Sequence, residues 1–152
     1  MMSDVDKEFW SWALVRYETE EVREYLLGLQ QQHGLIILEA MFLAWLGGRG
    51  NFLTSEAWGV LRERISPWVD CVVLPLRQQR VLWGQNPQRL EDRRALLRLE
   101  LDAEKTLAQI LCGAVNVDVL TRGGECIADN LSHLPELPSA DLINRLETLL
   151  GR

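Results

Sequence analysis

Residues Leu35 to Leu46 read LIILEAMFLAWL, and this stretch decides the fold. Glu39 is the one residue in it that is not apolar. A helix that is apolar all round has no solvent side and must be enclosed by neighbours. A run of 12 residues makes about 18 Å of helix, short of the roughly 20 residues a membrane span needs. The segment is therefore expected to be the buried centre of a soluble, cytoplasmic helical domain, with one carboxylate taken inside.

Helical patterns surround it on both sides. Asp4 to Tyr17 reads as a first helix, with Phe9, Trp10, Ala13, Leu14 and Tyr17 on one arc at 100° per residue. Trp12 and Val15 fall on its other side. They suit either a second neighbour or a facet for a partner chain, and are the interface candidates. Glu20 to His33 carries an inward stripe of Val22, Tyr25, Leu26 and Leu29, with Gln30 and His33 on or beside it. Gly34 suits the left-handed cap that ends such a helix. Beyond the central run, Gly47-Gly48-Arg49-Gly50-Asn51 reads as a flexible loop.

Thr54 or Ser55 caps a fourth helix running to about Ile65, where Ser66-Pro67 is expected to break it. A fifth, about Pro67 to Trp83, places Trp68, Val69, Val72, Val73, Leu76 and Trp83 on one arc, with a kink expected at Pro75. The sixth and longest starts at Asn86-Pro87 and runs to about Ala114; Leu90, Leu96, Leu97, Leu99, Leu101, Ala103, Leu107, Ile110 and Leu111 form its apolar set. Residues 115–152 read as a less regular C-terminal extension. It holds a short helix near Glu125 to Leu131 and a final one capped by Ser139, with Leu142, Ile143, Leu146, Leu149 and Leu150 on its apolar side. No period-two pattern persists, so the expected fold is all-α: an irregular single-domain bundle of about six to eight helices around residues 35–46.

Composition limits the function classes. The chain has 152 residues, 47% hydrophobic and 25% charged, which suits one globular domain. Net charge is −6 with 14 Arg and two Lys, a balance that opposes nucleic-acid backbone binding. The N-terminal MMSDVDKEFW lacks the apolar core of a signal segment. Cys71, Cys112 and Cys126 are widely spaced with no CxxC, and read as reduced thiols. There is no G-x-S-x-G, no phosphate-loop Gly-Lys-Ser/Thr and no H-E-x-x-H. No cofactor is implied.

The informative residues are polar ones on apolar faces. Glu100 and Glu104 fall inside the apolar arc of the sixth helix, one turn apart. Arg80 flanks the stripe of the fifth helix, Arg77 lies at its edge, and Glu39 is a third inward carboxylate. A buried carboxylate needs a cation, hydrogen bonds or a proton. One reading is a structural network in which Arg80, with Arg77 or Arg62, neutralises Glu100 and Glu104 while Gln30 or His33 satisfies Glu39. A second is a pocket where Arg77 and Arg80 hold an anionic head group and the Trp-rich core an apolar tail. A third is a carboxylate metal site, disfavoured because no Glu-x-x-His occurs.

Phe9-Trp10 with Ala13-Leu14 and Tyr17, then Leu29-Gln30, Gly34 and Trp45-Leu46, resemble the N-terminal signature of a bacterial family of small all-helical proteins of unknown function. Val72-Val73 with Pro75-Leu76-Arg77 and Arg80, then Glu100 with Ala103-Glu104, resemble its second half. The resemblance covers about Phe9 to Leu111. The sequence departs from that pattern at Gln31, where the family tends to have Asp, and at Leu38-Glu39-Ala40-Met41, where it has Asn-Leu-Leu-Leu. The resemblance implies a cytosolic bacterial protein and an all-helical fold, and no activity. Function is not determined by these residues. The expectation they lead to is a non-catalytic interaction or regulatory module with a protein partner or a second copy, ahead of an anionic-amphiphile binder or enzyme, and of a metal protein.

Overall fold

A computed structural model describes residues 2–84, 86–116 and 123–151. Within the C-terminal extension, residues 117–122 and 152 lie outside the described residues. The fold is all-α and single-domain. Helix α1 spans Asp4–Glu18 and α2 spans Glu20–His33. Ser3 and Asp6 close a capping box at the start of α1, Ser3 Oγ accepting from Asp6 N–H at 3.2 Å and Asp6 Oδ2 from Ser3 N–H at 2.9 Å. Gly34 ends α2 at φ 71°, the cap its position implied.

The central helix α3, Ile37–Gly48, is buried from Leu38 through Gly47. It touches α1, α2, α6 (Leu90–Ala114), α7 (Ile127–Leu131) and α8 (Ala140–Leu150). Phe9 of α1 meets Phe42 edge-on at 5.3 Å and Trp45 at 5.2 Å, fixing the first helix across the middle of α3. The helix expected at the centre is there.

Three expectations need correction. Helix α4, Ser55–Trp68, does not break at Ser66-Pro67; it passes through Pro67. Pro67 lacks the N–H that would reach the Glu63 carbonyl, and Glu63 is on the exposed side of the helix, where such a loss costs least. Ahead of Pro75, where a kink is expected, the chain widens into a π-turn, Val69–Val73, in which Leu74 N–H reaches back five residues to Val69 O. That wider turn makes room ahead of the Pro75 ring, which sits in the first turn of α5, Leu74–Trp83.

The second correction concerns Leu90, Leu97, Leu99 and Leu101, which were expected inward and are 41–54% exposed. The first half of α6 lies beside α5, a helix with no buried residue of its own, and two helices alone do not enclose each other's faces.

The third is the glycine loop. Its first residue, Gly47, still lies in the last turn of α3 and packs directly against the C-terminal segment: a Cβ there would stand 2.5 Å from Ile127 Cα. Cys126 N–H donates to Gly47 O at 3.0 Å and Gly123 N–H to Gly50 O at 2.8 Å. Gly50 has φ 78°, and a Cβ on it would meet Gly123 O at 2.3 Å. The loop is a packing seam. Through it the C-terminal extension completes the core with Ile127, Leu131, Leu134, Leu137, Leu146, Leu149 and Leu150. Asn130, fully buried, locks the seam: its Oδ1 accepts from Leu53 N–H, and its Nδ2 donates to Leu43 O and Asn51 O, at 3.0–3.1 Å.

Candidate functional site

The inward polar residues separate into two clusters on different faces of α3. The first is built on Glu39, whose side chain is 3% exposed. Arg62 of α4 brings Nη2 within 3.3 Å of Glu39 Oε1 and also pairs with Glu136, in the link between α7 and α8. Glu39 Oε1 has no aligned hydrogen bond among the described residues. Burial pushes the Glu39 carboxyl up to about 7; Arg62 opposes this, and Glu136 and Asp70 add to it.

Neither Gln30 nor His33 satisfies Glu39, contrary to one sequence expectation. His33 is exposed at the end of α2, and Gln30 lies in the wall of a cleft that Glu39 does not reach. Glu136 stands in Leu134-Pro135-Glu136-Leu137-Pro138, a stretch without periodicity, so no sequence signal places it beside Arg62.

The second cluster joins α5 to α6. Arg80 forks onto Glu100: Nε donates to Oε2 at 2.5 Å and Nη2 to Oε1 at 3.2 Å. Arg77 stands 3.7 Å from Glu100 and 4.0 Å from Glu104. Spacing explains the pairing, since 77/80 and 100/104 each put two residues on one helix face. The hydrogen bond to Glu100 raises the Arg80 pKa, so the guanidinium stays charged. Arg77 Nε is buried without a hydrogen-bond partner among the described residues. The Glu104 side chain is 34% exposed. Burial, with Glu100 adding to it, pushes its carboxyl up to about 7 against the pull of Arg77 and Arg80. Burial and the Glu104 carboxylate push the Tyr17 phenol up in turn.

Beside this quartet lies a cleft of about 160 Å³ between α1, α2, α3, α5 and α6. Its floor includes Trp10, Leu38 and Met41; Tyr17, Gln30 and the four charged groups supply its polar atoms. Leu14, Leu27 and Leu101 line it and are 39–43% exposed, so they form its mouth. The volume is close to that of an engineered apolar cavity that admits a benzene, about 150 Å³.

The sequence grouping of Arg77, Arg80, Glu100 and Glu104 is thus one assembly with Gln30 near it, while Glu39 and His33 stand apart. Tyr17 entered the sequence reading as a core residue and lines the cleft. Of the interface candidates, Trp12 is half-buried against the core with the Arg16 guanidinium 4.1 Å from its ring centroid, and Val15 is 61% exposed. Among the described residues no three His, Cys, Asp or Glu side chains gather in a way that would hold a metal ion.

Residues 8–111 match the family described as protein of unknown function, DUF2390. The chain belongs to this family. The matched region contains the whole second cluster and the cleft, and stops before Glu136 and the helices that close the Glu39 side. No curated protein and no solved structure matches the chain. Among the described residues no helix is long and apolar enough to cross a membrane.

Proposed function

We propose that the protein is a non-catalytic binding module for another protein, which inserts one apolar side chain into the cleft beside Arg77 and Arg80. The size of the cleft carries this reading. At about 160 Å³ it falls below the roughly 300–1,000 Å³ of pockets that hold whole small molecules, and suits a single aliphatic or aromatic anchor. The charges agree. An anionic head group would meet the Glu100 and Glu104 carboxyls in the same cluster, with Arg80 already forked onto Glu100, and this opposes the anionic-amphiphile reading. The exposed Leu14, Leu27 and Leu101 supply the apolar rim a protein surface would cover. The expectation of a bacterial, cytosolic setting fits such a module and forms part of the same proposal.

The test is in-cell photocrosslinking from Leu27, with Val60 of α4 as the control position, since it is exposed and α4 contributes no residue to the cleft lining. The expected result is a discrete protein adduct from position 27, absent from position 60 and lost with Leu101→Arg. Equal labelling at both positions, or a small molecule retained by the purified chain in native mass spectrometry and released by Leu101→Arg, would falsify the proposal.

A further inference from the structure

We infer that the partner presents an acidic amphipathic helix, laid along the first half of α6 with one apolar side chain in the cleft. This rests on the protein-binding reading above and names the chemistry of what binds. At 100° per residue, Leu90, Leu97 and Leu101 fall within about 40° of one another around α6. They are 47%, 41% and 43% exposed, so the row is uncovered. From Leu90 to Leu101 it runs about 16 Å, three turns of helix. Its last member, Leu101, is also part of the cleft mouth, facing Leu14 and Leu27. The row and the cleft therefore make one apolar track with a deep pocket at one end. That is the shape into which a helix docks anchors spaced at three, four and seven residues.

Charge selects the kind of helix. Arg94, Arg98 and Lys105 lie along the next 40° or so of α6, parallel to the leucine row. The chain as a whole carries −6, yet this strip of α6 presents three cations, with the carboxylates of Glu91 and Asp102 only along its outer edge. Arg94 is reached by Glu91 at 3.5 Å with its side chain 59% exposed; Arg98 is exposed and forms no ion pair among the described residues. An acidic partner is repelled by most of this surface and attracted to this one, which fixes where and in which register it docks. An anionic membrane meets the same cations but presents a plane with no side chain to fill the cleft, and the net negative charge opposes its approach. A second copy of this chain is the remaining alternative occupant.

The experiment is selection of helical peptides from a random display library on the full chain. The best peptide is then resynthesised and its binding followed by fluorescence anisotropy. The expected winners carry apolar residues at helical spacing with an excess of Asp and Glu. Arg94→Glu combined with Arg98→Glu weakens their binding at least about tenfold, and so does added salt. These positions are exposed, and circular dichroism checks that the variants stay folded. Winners without acidic excess, or indifferent to the double reversal, overturn the inference. So does tighter binding to phosphatidylserine vesicles than to any peptide, or self-association that the double reversal abolishes. Peptides that depend on Leu101 but not on Arg94 and Arg98 would end this inference and leave the proposed function standing. Peptides that depend on the arginines but survive Leu101→Arg would remove the cleft from both.

Discussion

Glu39 and Glu104 take the same carboxylate into two different surroundings. Burial pushes each up to about 7, and each has an arginine within 4.0 Å. Glu39 is 3% exposed and enclosed, with Arg62 and Glu136 stacked over it and the C-terminal helices closing its side of α3. Glu104 is 34% exposed and looks onto empty volume. An inward charge is therefore not by itself a site. What makes one is unfilled space beside a charge whose partners hold it in place.

The closed side breaks hardest at Gly47. Gly47→Ala drives a Cβ into the Ile127 backbone, which no side-chain rotation relieves, and should cost about 3 kcal/mol in urea unfolding, the upper end of overpacking penalties. A loss under about 0.5 kcal/mol would mean the seam yields and the enclosure of Glu39 is looser than described.

The open side is tested next. Arg80→Ala strands Glu100, 8% exposed, with only the more distant Arg77, and should cost about 2–3 kcal/mol by denaturant titration. Arg80→Leu with Glu100→Leu together should cost clearly less, because no buried charge is left alone. Equal losses from the single and double changes would show that packing around the hairpin, not charge, holds α5 to α6.

The two carboxyls separate by pH. A Glu with pKa 4.5 unfolded and about 7 folded is ionised in both states above pH 7, and there the folded state bears the desolvation penalty. As pH falls the folded state takes up its proton first, so this group's contribution to stability rises from about pH 8 down toward 4.5. For Glu39 the gain between pH 8 and 5.5 is on the order of 2 kcal/mol. Glu39→Gln should flatten most of that rise, whereas Glu104→Gln, at a partly wet position, should flatten less of it. The reverse ranking would place the stronger desolvation at the cleft.

The smallest effect is expected at the rim. Leu101→Ser should change stability by less than about 0.5 kcal/mol, since the residue is 43% exposed. A much larger loss would assign the leucine row to the core and take away its availability to a partner.

Part of the grouping around the cleft is legible in the sequence. Arg77 and Arg80, like Glu100 and Glu104, stand one helical turn apart, and that spacing alone puts each pair on one face. Glu39 was legible as buried but not as Arg62's partner, because Glu136 lies in a Pro-flanked link with no period to read. Nor did periodicity reveal the exposed leucines of α6, since an apolar arc says which face is apolar and not whether anything covers it. Pro67 misled in the same way: a helix passes through a proline at low cost where the residue four before it, here Glu63, is exposed.

The all-helical class, the buried centre at residues 35–46, the cap at Gly34 and the pairing faces of α5 and α6 can all be read along the chain. All of these follow from local spacing within one helix, where neighbours along the chain are neighbours in space. The tertiary structure alone decided that Gly47 and Gly50 form a seam, that Glu39 and Glu104 belong to separate clusters, and that a cleft opens beside only one of them. Those outcomes depend on which helices cross and how closely, a matter of close packing between segments far apart in the chain.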